Sequence, residues 1–210
     1  MKLNMKMRFS LIVLTVLLLS DCNALFAQEE FNPRKHFIYD GDYFMPYSPY
    51  LLTNVGYGYN YKSGKMEQNL AVDYHFRYKF EYLHFNIGYF SSSDQFLREA
   101  KGLKIYRSPQ RSHHFHMGVG SRYAILKHNF GGYAGISLVR GRQSLTDSMY
   151  ITRLGPGLYA QIHYHWKPIY DLGIGVAFFA TACEHFSVMG LQLSILFSAD
   201  FKPPAPPKVY

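Results

Sequence analysis

The sequence predicts an all-β fold, an eight-stranded antiparallel transmembrane β-barrel. Three observations predict it. From residue 50 onward, apolar and polar residues alternate in eight successive stretches separated by turn signals, which is the pattern of strands that face lipid on one side and a lumen on the other. The apolar positions are large and often aromatic, while the intervening positions are small, glycine-rich or charged. An export leader stands at the N-terminus, and no later segment holds 18 consecutive apolar residues, so a membrane-embedded chain would cross with strands.

The leader comes first. Lys2, Lys6 and Arg8 precede the apolar run Leu11–Leu19, and Ala24-Leu25-Phe26-Ala27 offers small residues at the exit. A basic start, a short apolar run and a small-residue exit make residues 1–27 a signal peptide. Cys22 offers a lipidation site as the alternative, with Asp21 before it where a lipobox wants a small residue. Cleavage after Ala27 removes three cations and one anion and takes the chain from +8 to +6. Only Cys183 then remains, so no internal disulfide stabilises this exported chain. Charged residues are 17% and aromatics 18%, fewer charges than the quarter usual for soluble domains. Residues 28–49 lack clean alternation and read as a periplasmic leader that either caps or enters the barrel.

The barrel is predicted over residues 50–201. Leu51, Thr53, Val55, Tyr57, Tyr59 and Tyr61 share the outward face of the first strand, against Leu52, Asn54, Gly56, Gly58 and Asn60, and Lys62-Ser63-Gly64-Lys65 turns the chain. The second strand sets Leu70, Val72, Tyr74, Phe76, Tyr78 and Phe80 against Ala71, Asp73, His75, Arg77 and Lys79. The third sets Leu83, Phe85, Ile87 and Tyr89 against His84, Asn86 and Gly88. The fourth sets Phe115, Met117, Val119, Tyr123 and Ile125 against His114, His116, Gly118, Gly120 and Arg122. Ala134, Ile136 and Leu138 oppose Tyr133, Gly135 and Ser137 in the fifth. Leu154, Leu158, Ile162, Tyr164 and Trp166 oppose Gly155, Gly157, Gln161, His163 and His165 in the sixth. The seventh runs from Tyr170 through Phe178, and the eighth from Met189 to Phe201. In a sandwich the polar face would meet water, and glycine at alternate positions would have no role. In a narrow barrel the inward face must be small or interdigitated.

Connections after strands two, four and six are short, the last at Lys167-Pro168. Those at 91–112 and 140–148 are long. Short periplasmic turns and long external loops place both termini in the periplasm. Aromatic residues at the strand ends suit the membrane interfaces. Residues 150–201 resemble the closing strands of small outer-membrane barrels of the Bacteroidota type, a resemblance that implies fold and an outer-membrane address. The Pro-rich tail 202–210 reads as an extended periplasmic end.

Four constellations can carry chemistry, and the Pro-rich tail, as a docking segment, is one of them. Inside the barrel, Asp73, His75, Arg77, His84, Arg122, His163, His165 and Asp171 form an expected lumen cluster, rich in cations and imidazoles and poor in carboxylates. Eight strands leave room for little beyond their own side chains, so a packed polar core accounts for it. His163-x-His165 places two imidazoles on one face, but a metal needs a further ligand and none is evident. No metal and no cofactor is therefore expected. A basic external loop carries Arg98, Lys101, Lys104, Arg107 and Arg111, with Arg140 and Arg142 on the next loop. Such charge suits lipopolysaccharide phosphates. Expected partners are outer-membrane lipid and lipopolysaccharide and a periplasmic or envelope protein. Nucleic acid is excluded by export.

The fourth is His185-Phe186-Ser187-Val188-Met189-Gly190. It resembles the His-x-Ser…Gly motif of outer-membrane lipid A deacylases, which are also eight-stranded barrels. The resemblance implies Ser187 as nucleophile, His185 as base and Gly190 as the oxyanion glycine of a lipid A or phospholipid acyl hydrolase. Val188 stands where that motif has Asn, Glu184 is the nearest acid, and Asp200 lies at the other end of the strand. The expectation is a structural or envelope-interaction barrel rather than a general pore, with the hydrolase and a lumen ligand binder as alternatives.

Overall fold

A computed structural model describes residues 37–39, 41–77, 83–94, 110–144, 150–169 and 171–202. Two short strands open it, β1 (Phe37–Tyr39) and β2 (Asp42–Phe44). Eight longer ones follow: β3 (Tyr50–Asn60), β4 (Lys65–Arg77), β5 (His84–Ser93), β6 (Arg111–Ile125), β7 (His128–Ser144), β8 (Tyr150–Ile169), β9 (Leu172–Cys183) and β10 (Ser187–Ser198). A two-residue strand, β11 (Phe201–Lys202), completes the described chain. Each long strand pairs antiparallel with its sequence neighbour, and β10 pairs with β3, which closes an eight-stranded barrel without an edge. The signal segment, the tail 203–210, Tyr78, Lys79, Phe80 and Tyr170 lie outside the described residues.

The period-two pattern fixes which side chains face in. Along β10, Leu191, Leu193, Ile195 and Phe197 are exposed, and Val188, Gln192, Ser194 and Leu196 are buried. The same parity runs through β6, where Phe115, Met117, Val119 and Tyr123 are exposed and His114, His116 and Arg122 are buried. The molecule is therefore inside-out relative to a water-soluble fold. Its largest exposed residues are aliphatic and aromatic (Leu193 is 68% and Leu158 65% exposed), and most of its buried residues are polar, with Asn, Ser and His foremost. A contiguous apolar surface of this size marks a surface that meets something other than water.

Several sequence expectations shift at the strand ends. The predicted loop from Arg140 is strand: β7 runs to Ser144, and Arg140 and Arg142 pair with His113 and Arg111 of β6. Outward cations interrupt the apolar signal there but not the backbone ladder. The predicted turn at Lys167-Pro168 lies within β8, at a register shift between Trp166 and Ile169. Proline donates no ladder hydrogen bond and is tolerated at such an irregularity. The last barrel strand stops at Ser198, and Phe201 belongs instead to β11, which pairs with β2. The order β1-β2-β11 makes a separate three-stranded sheet from the segments that flank the barrel.

Candidate functional site

The lumen is the most densely organised polar region, and it is built from inward positions of all eight strands. At the end where the chain enters and leaves the barrel, Arg122 of β6 extends beneath the Tyr50 ring, its guanidinium 4.4 Å from the ring centroid. Its Nε donates to Asn129 Oδ1 at 2.6 Å and Nη1 to the Ser48 carbonyl at 2.7 Å. Nη2 donates to both oxygens of Asp200, at 3.0 and 3.2 Å. Lys167 Nζ reaches the same carboxylate at 2.7 Å, over the rings of Phe44 and Phe201. All three charged side chains are fully buried. Buried charges persist only when paired and hydrogen-bonded, and here the partner comes from the segment that follows β10.

Asp171 holds that segment in place. Its Oδ1 accepts the backbone N–H of Asp200 at 2.8 Å and of Phe201 at 3.3 Å, and the Ser198 hydroxyl at 3.2 Å. Burial pushes its carboxyl up from the ordinary value, while the donated hydrogen bonds favour its charged form. The Met45 amide donates to the Asp200 carbonyl at 2.6 Å, which ties the incoming chain to the outgoing one.

Above this lies an aromatic and imidazole tier. The Tyr50 ring stacks on His75 with centroids 4.4 Å apart. Its hydroxyl meets Tyr133 Oη at 2.9 Å and His163 Nε2 at 3.2 Å. His165 Nε2 contacts Ser194 Oγ at 2.7 Å. The middle of the lumen is organised by Asp73, which accepts from Asn54 at 2.8 Å, Gln161 at 3.2 Å and His116 Nε2 at 2.6 Å. Gly88 makes room for that pairing, since a Cβ there would collide with both Asp73 and His116. Further up, Phe90 packs on Phe179, with Ala71 and Val188 beside them. At the long-loop end Glu67 accepts from Asn60 at 2.7 Å and from the Ser92 hydroxyl.

Of the expected cluster, Asp73, His75, His84, Arg122, His163 and His165 are all buried within the barrel. Two expected members stand elsewhere. Arg77 is half-buried at the barrel's end, over the Tyr47 ring, because β4 ends there. Asp171 occupies the turn before β9 rather than the lumen. Among the described residues the lumen holds few carboxylates: Glu67 and Asp200 join Asp73 inside, against six buried imidazoles, Arg122 and Lys167. His114 and His116 are buried on the inward face that the alternation gave them. Tyr50 and Lys167 also line the lumen, and parity could have placed both, because each lies two positions from a residue assigned inward. Asp200 shares the inward parity of Ser194 and Ser198, but it lies beyond Ser198, where β10 ends. Among the described residues, no group of three or more His, Cys, Asp or Glu side chains is arranged to hold a metal.

The His185–Ser187 pair sits at the opposite end. Its turn is anchored by the Phe186 ring, buried against Gly141 where a Cβ would overlap it. The Ser187 hydroxyl donates to the Cys183 carbonyl at 3.1 Å. The His185 ring faces Arg153, whose Nη1 lies 3.0 Å from Nδ1, and Glu184 lies 3.8 Å away. Among the described residues no hydrogen bond joins Ser187 to His185, so the structure does not assemble a nucleophile with its base. Of the external basic residues, Arg98, Lys101, Lys104 and Arg107 lie outside the described residues, and Arg111 opens β6. The base of that loop is clasped by Asp94 and Gln110: the Gln110 amide donates to the Asp94 carboxylate at 3.0 Å.

No family model and no curated protein matches the sequence. Solved structures do match the fold. Neisserial surface protein A (NspA) superposes with a TM-score of 0.53 at 11% identity, over 71% of this chain and 96% of that one. Ail, the attachment invasion locus protein of Yersinia pestis, gives 0.50 at 9% identity, over 73% and 99%. Ail in complex with the heparin analogue sucrose octasulfate gives 0.50 at 9%, over 72% and 97%. At such identities the likeness is one of architecture, and this chain has the closed eight-stranded antiparallel barrel fold those structures share.

Proposed function

We propose that this protein is an outer-membrane β-barrel with a structural or envelope-interaction role, its termini in the periplasm and its long connections outside. The observation that carries the reading is the inversion of polarity. An outward surface rich in Leu, Ile, Val, Phe and Tyr surrounds a lumen lined with buried polar side chains. Lipid satisfies the first, and strand closure leaves no backbone edge unpaired in it. The fold shared with NspA and Ail, both small outer-membrane barrels, supports the same address, as does the basic N-terminal leader.

The filled lumen argues that function lies on the barrel's outer surfaces. Buried side chains stack along the described barrel from the Arg122–Asp200–Lys167 group to Phe90 and Phe179. Ail has been seen with a heparin analogue. The cations expected in the external loop, Arg98, Lys101, Lys104, Arg107 and Arg111, supply this chain with charge for an anionic envelope partner of its own. The test is planar-bilayer recording with the refolded chain. The reading expects no steady open level, and a stable ohmic channel would overturn it.

A further inference from the structure

The outward face of β6 and β7 changes character toward the long-loop end. Phe115 faces Leu138 across the ladder, with Tyr89 and Pro156 in the same row. One step higher, His113 faces Arg140, flanked by Leu154 of β8. One step higher again, Arg111 faces Arg142. The period of two keeps all of these on the outward side, because Phe115 and Leu138 are among the exposed hydrophobics. Arg140 is exposed, and Arg111, His113 and Arg142 are half-buried.

Directly opposed residues have Cα atoms about 4.5–5.5 Å apart, and successive same-face rows lie about 7 Å apart. Three guanidinium groups and an imidazole therefore share one patch roughly a lipid headgroup wide. The Tyr89 hydroxyl, 2.6 Å from His113 Nδ1, orients the imidazole from the apolar row below. Asp94 lies beside the patch with its carboxylate accepting the Gln110 amide. Guanidinium forks match phosphate oxygens in pairs. Immediately below them lies an apolar surface of Phe115, Leu138 and Leu154, the last 64% exposed. A soluble anion would use only the upper half of this arrangement. A lipid uses both.

Resting on the reading of the barrel as membrane-spanning, we propose that Arg111, His113, Arg140 and Arg142 bind the phosphate of an anionic membrane lipid whose acyl chains lie over Phe115, Leu138 and Leu154. The test is native mass spectrometry of the refolded full chain in detergent, with diphosphoryl lipid A as the probe. The site predicts retained lipid A, with retention weakened roughly tenfold or more by Arg140→Glu. It predicts a smaller loss in Arg140→Lys, which keeps the charge and gives up the fork. Arg153→Glu, which removes an exposed cation facing His185 at the same end, should leave retention unchanged. Equal loss in Arg140→Glu and Arg153→Glu would reduce the effect to diffuse attraction and overturn the site. Equal retention of lipid A stripped of its phosphates would overturn it in favour of the apolar belt alone, and displacement by inorganic phosphate would overturn the lipid as occupant. Each variant is checked for the migration shift of a folded barrel on boiling. A wild-type chain without that shift would sink the membrane reading itself, and the proposal with it.

Discussion

Arg122 and Asp200 stand 78 residues apart in sequence and form a two-pronged ion pair inside the barrel, with Nη2 at 3.0 and 3.2 Å from the two carboxylate oxygens. Lys167 shares the same carboxylate, so one acid from beyond the last barrel strand pairs with two buried cations. Removing one partner of a buried pair leaves an uncompensated charge, at a cost of about 3–5 kcal/mol. Asp200→Asn is expected to lower the unfolding free energy of the folded, heat-modifiable form, read by urea titration, by that order. Lys202→Gln, at the end of β11 and outside the pair, should change it by no more than about 0.5 kcal/mol. Equal midpoints for Asp200→Asn and wild type would refute the role assigned to Asp200.

Gly88 gives a second test, in the middle of the lumen. A methyl group there meets Asp73 and His116, so Gly88→Ala must push apart a 2.6 Å contact. Overpacking of this kind costs about 1–3 kcal/mol. At Gly155 a Cβ meets nothing within 4 Å, and Gly155→Ala is expected to be close to neutral. Urea titration of the two variants side by side distinguishes packing in the lumen from a general intolerance of side chains at glycine positions.

The strands were legible because a barrel in lipid needs one consistent rule, and a period of two states it directly. Asp73, His75, His163 and His165 fall where parity puts them. The ends of the barrel were less legible. Arg140 and Arg142 continue a strand while breaking its apolar signal, since outward residues beyond the lipid have no reason to be apolar. Lys167-Pro168 looks like a turn because proline so often makes one, yet here it sits at a register shift inside β8. Asp200 has the inward parity of Ser198, but its pairing with Arg122 and Lys167 depends on Asp171 holding the segment after Ser198, a long-range contact that no local pattern encodes. The His185–Ser187 spacing was visible at once, but spacing does not orient a hydroxyl.

That hydroxyl leads to a third prediction. The Ser187 Oγ–H points to the Cys183 carbonyl, and His185 is engaged with Arg153. Ser187→Ala is expected to leave the acylation pattern of lipid A unchanged in cells that express the protein, read by mass spectrometry. Loss of one acyl chain with the wild type and its return with Ser187→Ala would establish an acyl hydrolase instead.

The outward face supplies a fourth. Leu193 lies mid-strand on β10, opposite Val55 and Val176, and is the kind of residue a bilayer surrounds. An arginine at the midplane of a transmembrane barrel costs about 2–4 kcal/mol. Leu193→Arg is expected to destabilise the refolded protein in phospholipid vesicles by that amount. A near-zero effect there would place the residue in water.

The most direct test of the account is the heat-modifiability of the protein extracted from the envelope. A closed eight-stranded barrel predicts recovery in the outer-membrane fraction and a different gel migration before and after boiling. Recovery in the soluble periplasmic fraction, with one migration regardless of boiling, would contradict it.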